Sequence, residues 1–312
     1  MMMKNRLKNI PTAFYILIIL MLLCGCLTEN FFSADNLSNI LSQAAPLFVL
    51  ACGQTLIVLM QGTDLSAGSI VSITGVLWIY LLNIGAPMLV SIFLIVAAGA
   101  ILGLVNGAIV AKGFLPVFIV TLATQNIFKS IALLLCGSQT LYYEHPIFRT
   151  IAKNGAAGLS WSVWIALICF LLTWVLLSKT RFGRKVKGIG GNPEVLVLSG
   201  ASISVSQIKA FVYAGIMAAV GGMLLCCRIE SGNPNAGNGM EFNAIAAVLL
   251  GGTSLREGKG GVGGTVFGVL LIQVLKTGLT QIGISSIYQN ALIGTVVLGA
   301  IIVDALIKGS QA

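Results

Sequence analysis

Charge is what this sequence has least of. Only 9% of its 312 residues are Asp, Glu, Lys or Arg, where a soluble domain carries roughly a quarter. A water-facing globular surface is therefore excluded. Histidine is nearly absent: His145 is the only one. There is no H-E-x-x-H and no pair of carboxylates within an apolar run, so the usual acid–base and metal constellations are missing. The seven cysteines (Cys24, Cys26, Cys52, Cys136, Cys169, Cys226, Cys227) all fall in apolar runs without paired spacing. They read as small hydrophobes, not as a disulfide framework or a zinc site. A phosphate loop is missing too. Gly258-Lys259 is followed by Gly260 where Ser or Thr is required, and position 253 is Thr, not Gly. The G-x-G-x-x-G match over 258–263 has no strand before it and an apolar span after it. The chain is expected to be no enzyme, with no metal, cofactor or ATP site of its own.

What is present is apolar length: 57% of residues are hydrophobic. Runs close to the ~20 residues of a spanning helix cover about 12–28, 41–60, 69–84, 88–111, 115–136, 161–178, 207–227, 242–255, 262–282 and 288–307. The eighth is short and Gly-rich and reads as a re-entrant or partial helix. Leu23-Cys24-Gly25-Cys26 faintly resembles a lipoprotein cleavage box, but nine further apolar segments favour a retained first span. Placing the N-terminus inside puts thirteen Lys/Arg in inside segments, from Lys4, Arg6 and Lys8 to Arg256, Lys259 and Lys308. Arg149, Lys153 and Arg228 fall outside, and Lys129 and Lys276 lie in the outer halves of spans, within reach of the interface. That bias is the positive-inside pattern. The expectation is an all-α, polytopic transmembrane helical bundle of about ten spans, with cytoplasmic N- and C-termini, forming one domain over 1–312.

The largest charged island is 179–209, with six Lys/Arg against Glu194. Within it, Asn192 suits an N-cap, Pro193 the first helical position and Glu194 the positive helix end. Gly200 offers a stop. The body of that short helix is Val195, Leu196, Val197 and Leu198. So short an apolar helix is not stable alone in water, so something covers it: its own protein, lipid headgroups, or a cytoplasmic partner docking on it.

Two stretches echo each other. Residues 58–68 and 248–258 share Val, Leu, Gly, Thr, Leu and Gly in register, each at the inner end of a span. Polar residues in or beside spans tend to face the bundle interior. Gln54, Gln61, Asp64, Asn106, Gln125, Asn126, Asn243 and Gln273 are thus candidates for a translocation path, with interhelical hydrogen bonding as the alternative. Asp64, with Ser66, also suits a cap on the third span. Gly99, Gly103 and Gly107 recur at four-residue spacing, which favours close helix packing.

Several blocks carry a resemblance. Residues 62–68 (GTDLSAG) resemble the G-I-D-L-S-V-G motif of the ribose/xylose-type permease subunits of bacterial ATP-binding-cassette (ABC) importers, within the branched-chain-amino-acid-like superfamily. Residues 104–110, 116–122, 180–184, 188–192 and 241–253 resemble further blocks of that family, in order over nearly the whole chain. Thr63 and Ala67 depart from the motif, and Val195–Leu198 stand where the family tends to have paired alanines. The resemblance implies a permease domain importing a sugar or sugar-like solute across the cell membrane. Its implied partners are a second permease copy, identical or not, cytoplasmic ATPases that bind the ATP, and an extracytoplasmic solute-binding protein. Nucleic acid is not among them. It also sharpens the island into a coupling loop, with Arg184, Gly191, Asn192, Pro193, Glu194, Val195, Leu196, Val197 and Leu198 meeting the ATPase. The alternative is an ion-coupled secondary transporter, which needs ionisable groups within its spans.

Overall fold

The computed structural model describes residues 11–113, 115–255, 257–285, 288–289, 291–295 and 298–299. Twelve helices are assigned over them: α1 Thr12–Leu27, α2 Ala34–Leu59, α3 Ala67–Asn83, α4 Met88–Gly113, α5 Val117–Leu135, α6 Pro146–Lys153, α7 Trp161–Lys179, α8 Arg181–Gly191, α9 Pro193–Leu198, α10 Ile203–Ile229, α11 Met240–Leu250 and α12 Val262–Gln281. Among the described residues six helices, α2, α4, α5, α7, α10 and α12, are long and apolar enough to cross a membrane. α1 and α3, of 16 and 17 residues, fall just short. The protein is a polytopic helical membrane protein.

α11 stands where the eighth run is expected as a re-entrant or partial helix. It has 11 residues, about 16 Å at 1.5 Å per residue, half of a bilayer core. Gly239, in the left-handed region at φ 80°, starts it and Gly251 ends it, so glycines at both ends set its length. The chain reaches its start through the irregular segment 233–239. Much of the tenth expected span, both expected cytoplasmic termini and Arg256 lie outside the described residues.

Burial grades the helices. α2 and α10 are buried along most of their length, whereas α4, α5 and α7 bury only about a quarter of theirs. Ser33 caps α2, its Oγ accepting from Asn36 N at 3.2 Å, and the helix runs through Pro46 without interruption. The expected glycine packing is present: a methyl at Gly99 or Gly103 would strike the backbone carbonyls of Gly215 and Phe211 on α10. Such contact lets helix backbones approach with no side chain between them.

The all-α expectation misses four two-residue strands. Leu141–Tyr142 (β1) pairs antiparallel with Ser231–Gly232 (β4), and Gly155–Ala156 (β2) with Leu159–Ser160 (β3). The pairing satisfies backbone groups of segments that would otherwise be irregular. At the same end His145 caps α6, Nδ1 accepting from Ile147 N at 3.2 Å, with Pro146 following.

Candidate functional site

The island contains two helices, not one. Thr180 caps α8, its Oγ1 accepting from Gly183 N at 3.1 Å while donating to Leu176 O at 2.6 Å. Gly183 lies so close to the Leu176 and Leu177 carbonyls that the chain folds back tightly after α7. α8 then buries Val186, Ile189 and Gly190 against the bundle. Asn192 ends α8 and caps α9, Oδ1 accepting from Val195 N at 3.2 Å, as its residue type predicts. Gly200, at φ 78°, follows the stop. No residue of α9 is buried. Val195, Val197 and Leu198 are exposed by 59%, 55% and 87%, an apolar patch uncovered by the chain itself. Leu196 points the other way: its methyls approach the place where a Gly188 side chain would be. Arg184, Gly191, Pro193 and Glu194 are exposed. Beside the patch, Arg181, Arg184, Lys185, Leu196 and Ser199 line a groove of about 290 Å³.

The two echoing stretches meet the island at one residue. A side chain at Gly190 would strike the Leu59 carbonyl and the Gly258 backbone. Gln61, in the left-handed region at φ 63°, donates from Nε2 to Gly190 O at 2.8 Å.

The turn after α2 is held from several sides. Gln54 Nε2 donates to Asp64 O at 2.7 Å. Thr121 Oγ1 of α5 accepts from Leu65 N and donates to Thr63 O, both at 3.1 Å. Asp64 Oδ1 accepts from Ser66 N at 2.9 Å and Ser66 Oγ at 2.6 Å. This is a local turn made by a short acidic side chain, not the expected cap: Ser66 makes no side-chain cap bond to α3. Asn106 of α4 completes the clamp, Nδ2 donating to Ser66 Oγ at 2.7 Å.

Gln125 lies apart from the clamp. Its Nε2 donates at 2.9 Å to Glu241 Oε1 in the first turn of α11, a buried carboxylate whose neighbour is Gly68. The candidate path omitted Glu241, although an acid at the head of an apolar run was the available signal. Asn126, one residue on, is exposed at mid-helix on α5, its Nδ2 donating to Leu122 O at 3.0 Å. Among the described residues three buried side-chain atoms have no partner: Gln54 Oε1, Asn106 Oδ1 and Glu241 Oε2.

Of the eight candidates, Asn243 and Gln273 alone line one large polar cavity. It measures about 820 Å³ and lies among α2, α11 and α12, within the range of about 300–1,000 Å³ usual for small-molecule sites. α2 contributes Asn36, Asn39 and Gln43, and α12 contributes Gln273, Thr277, Thr280 and Gln281. Gln273 Nε2 donates to Gln43 Oε1 and Gln281 Nε2 to Asn36 Oδ1, both at 2.9 Å. Apart from Gln273 these residues were missed, yet both sets recur at three- and four-residue spacing, which places them on one helix face. The expected second span, starting at about 41, left Asn36 and Asn39 outside it. Such amides and hydroxyls are the groups that hydrogen-bond a polyhydroxylated solute.

Known proteins resemble this chain along its length. The sequence model of the family described as "Branched-chain amino acid transport system / permease component" matches residues 36–302. Identity is 36% over 302 residues to the ribose import permease protein RbsC of Haemophilus influenzae, covering 92% of this chain and 93% of that one. It is 38% over 279 residues to the ribose import permease protein RbsC of Escherichia coli K12, covering 88% and 86%. It is 34% over 319 residues to the galactose/methyl galactoside import permease protein MglC of the same strain, covering 94% and 93%. No solved structure matches.

Proposed function

Because the chain belongs to the branched-chain amino acid transport system permease family, we propose that it is the membrane-spanning permease subunit of an ABC importer, forming the path for a sugar or sugar-like solute. It is a multi-pass protein of a bacterial inner membrane. The observation that carries the reading is end-to-end similarity to ribose and galactose permeases, joined to an amide-lined cavity between apolar helices. The solute passes the cavity wall at Asn243 and Gln273.

The chain spans the membrane about ten times with both termini inside, and α11 contributes half a crossing. It hydrolyses no ATP and binds no cofactor. Separate ATPases do the work, and an extracytoplasmic binding protein delivers the solute. A second permease copy covers α5, because Asn126 and Ser130 at mid-span would be costly against lipid. A single permease domain, 1–312, carries the 179–209 loop as its coupling element.

The ATPase docks on α9 through Val195, Val197 and Leu198. The exposed patch and the basic groove beside it support an apolar partner surface with an acidic rim. Leu196 steadies α9 from behind, so the test is made at Leu198. Leu198→Asp is expected to leave membrane levels normal, weaken ATPase co-purification at least tenfold, about 1.4 kcal/mol, and abolish uptake. Full co-purification with normal uptake would remove the island from the mechanism. For the topology, a cysteine at position 153 should react with an impermeant label in intact cells and one at 187 should not; the reverse would overturn the orientation.

A further inference from the structure

Among its described lining residues the cavity contains two positive charges and no negative one. Arg228, in the last turn of α10, and Lys276 of α12 both line it. No acidic side chain is among the described lining residues. Glu230, beside Arg228, is engaged by Arg149 at 3.0 Å. Glu241 turns to Gln125, Asp35 opens on a neighbouring cleft with Lys153, and Asp304 lies outside the described residues. Neither cation has a hydrogen bond or ion pair among the described residues.

Arg228 is exposed and Lys276 partly buried, and two like charges on one cavity wall favour an anion held between them. Neutral hydroxyl groups hydrogen-bond Asn and Gln equally well and gain nothing specific from a second cation. A carboxylate or phosphate does gain, through charge-assisted bonds that Arg offers in a planar fork and Lys as a point charge. We infer that the solute held in this cavity is an anionic polyhydroxylated compound, a sugar acid or a sugar phosphate, and that Lys276 selects for its negative group. This rests on the importer reading and narrows its substrate class, since the relatives are named for neutral sugars.

The test uses the full chain in lipid nanodiscs, with D-ribose, D-ribonate and D-ribose 5-phosphate as probes at equal ionic strength. Binding is read from the ligand-induced rise in melting temperature. At least one anionic probe is expected to bind tenfold or more tightly than ribose. Comparing the two anions separates carboxylate from phosphate recognition. Lys276→Met should erase that preference and Lys276→Arg should keep it; if Lys276→Met does not fold, Arg228→Gln is read in its place. Ribose binding as tightly as either anion, a preference that survives loss of the cation, or no response to any probe overturns the inference. Loss of ATPase co-purification, measured separately, tells against the importer reading instead.

Discussion

The clamp on residues 60–66 and the cavity between α2 and α12 are built from the same materials. Both use Asn, Gln, Ser and Thr, and α2 supplies both: Asn36, Asn39 and Gln43 near one end, Gln54 near the other. They differ in what those side chains bond. In the clamp, Gln54 and Thr121 bond the backbone of one turn, and Asn106 reaches the serine that Asp64 holds. In the cavity, amides mainly bond other side chains around open space, as Gln43 does with Asn39 and Gln273. A backbone partner has no alternative when lost, while a side-chain partner beside open space can turn to a ligand. Polarity inside a membrane bundle therefore says little about function until the partner is known.

Substitutions can break this contrast. The largest stability loss is expected for Gln54→Leu, which leaves the Asp64 carbonyl buried without its donor and costs about 1–3 kcal/mol. The melting temperature of the purified chain reads it, and an unchanged value would make the clamp as dispensable as the cavity. Gln61→Ala, removing a partly exposed bond to Gly190, should cost about 1 kcal/mol and weaken ATPase retention as well as stability. Asn243→Ala should reverse the pattern, with melting within about 0.5 kcal/mol of the parent and uptake reduced at least tenfold. Equal losses of both would show that the cavity wall is structural. Smallest is Arg149→Ala. Its ion pair with Glu230 is exposed, and such pairs are worth little in water, so no shift in melting is expected.

Much of the bundle was legible in the sequence because membrane spans are set by length and composition, which need no tertiary information. Asn192-Pro193-Glu194 gave the start of α9 for the same reason: a cap is local chemistry. α8 was not legible. Arg181–Gly191 is basic and Gly-rich, and it is helical because the bundle buries Val186, Ile189 and Gly190, a tertiary gain that propensity does not carry. The direction in which Leu196 points was hidden likewise, since Gly188 accommodates it across a turn between two helices. Nor did polarity alone separate Gln54 from Gln273; the difference lies in which atoms meet them. The echoing stretches 58–68 and 248–258 are separated by many helices in the chain. The two nevertheless come together in space.

That meeting at Gly190 has a kinematic consequence. The end of α2 and the turn before α12 rest on one backbone position with no side chain between them. A push delivered to α8 has no slack to absorb before it reaches both. Two loops far apart in the chain lose one independent degree of freedom, and the cavity walls attached to them, α2 and α12, move as a linked pair.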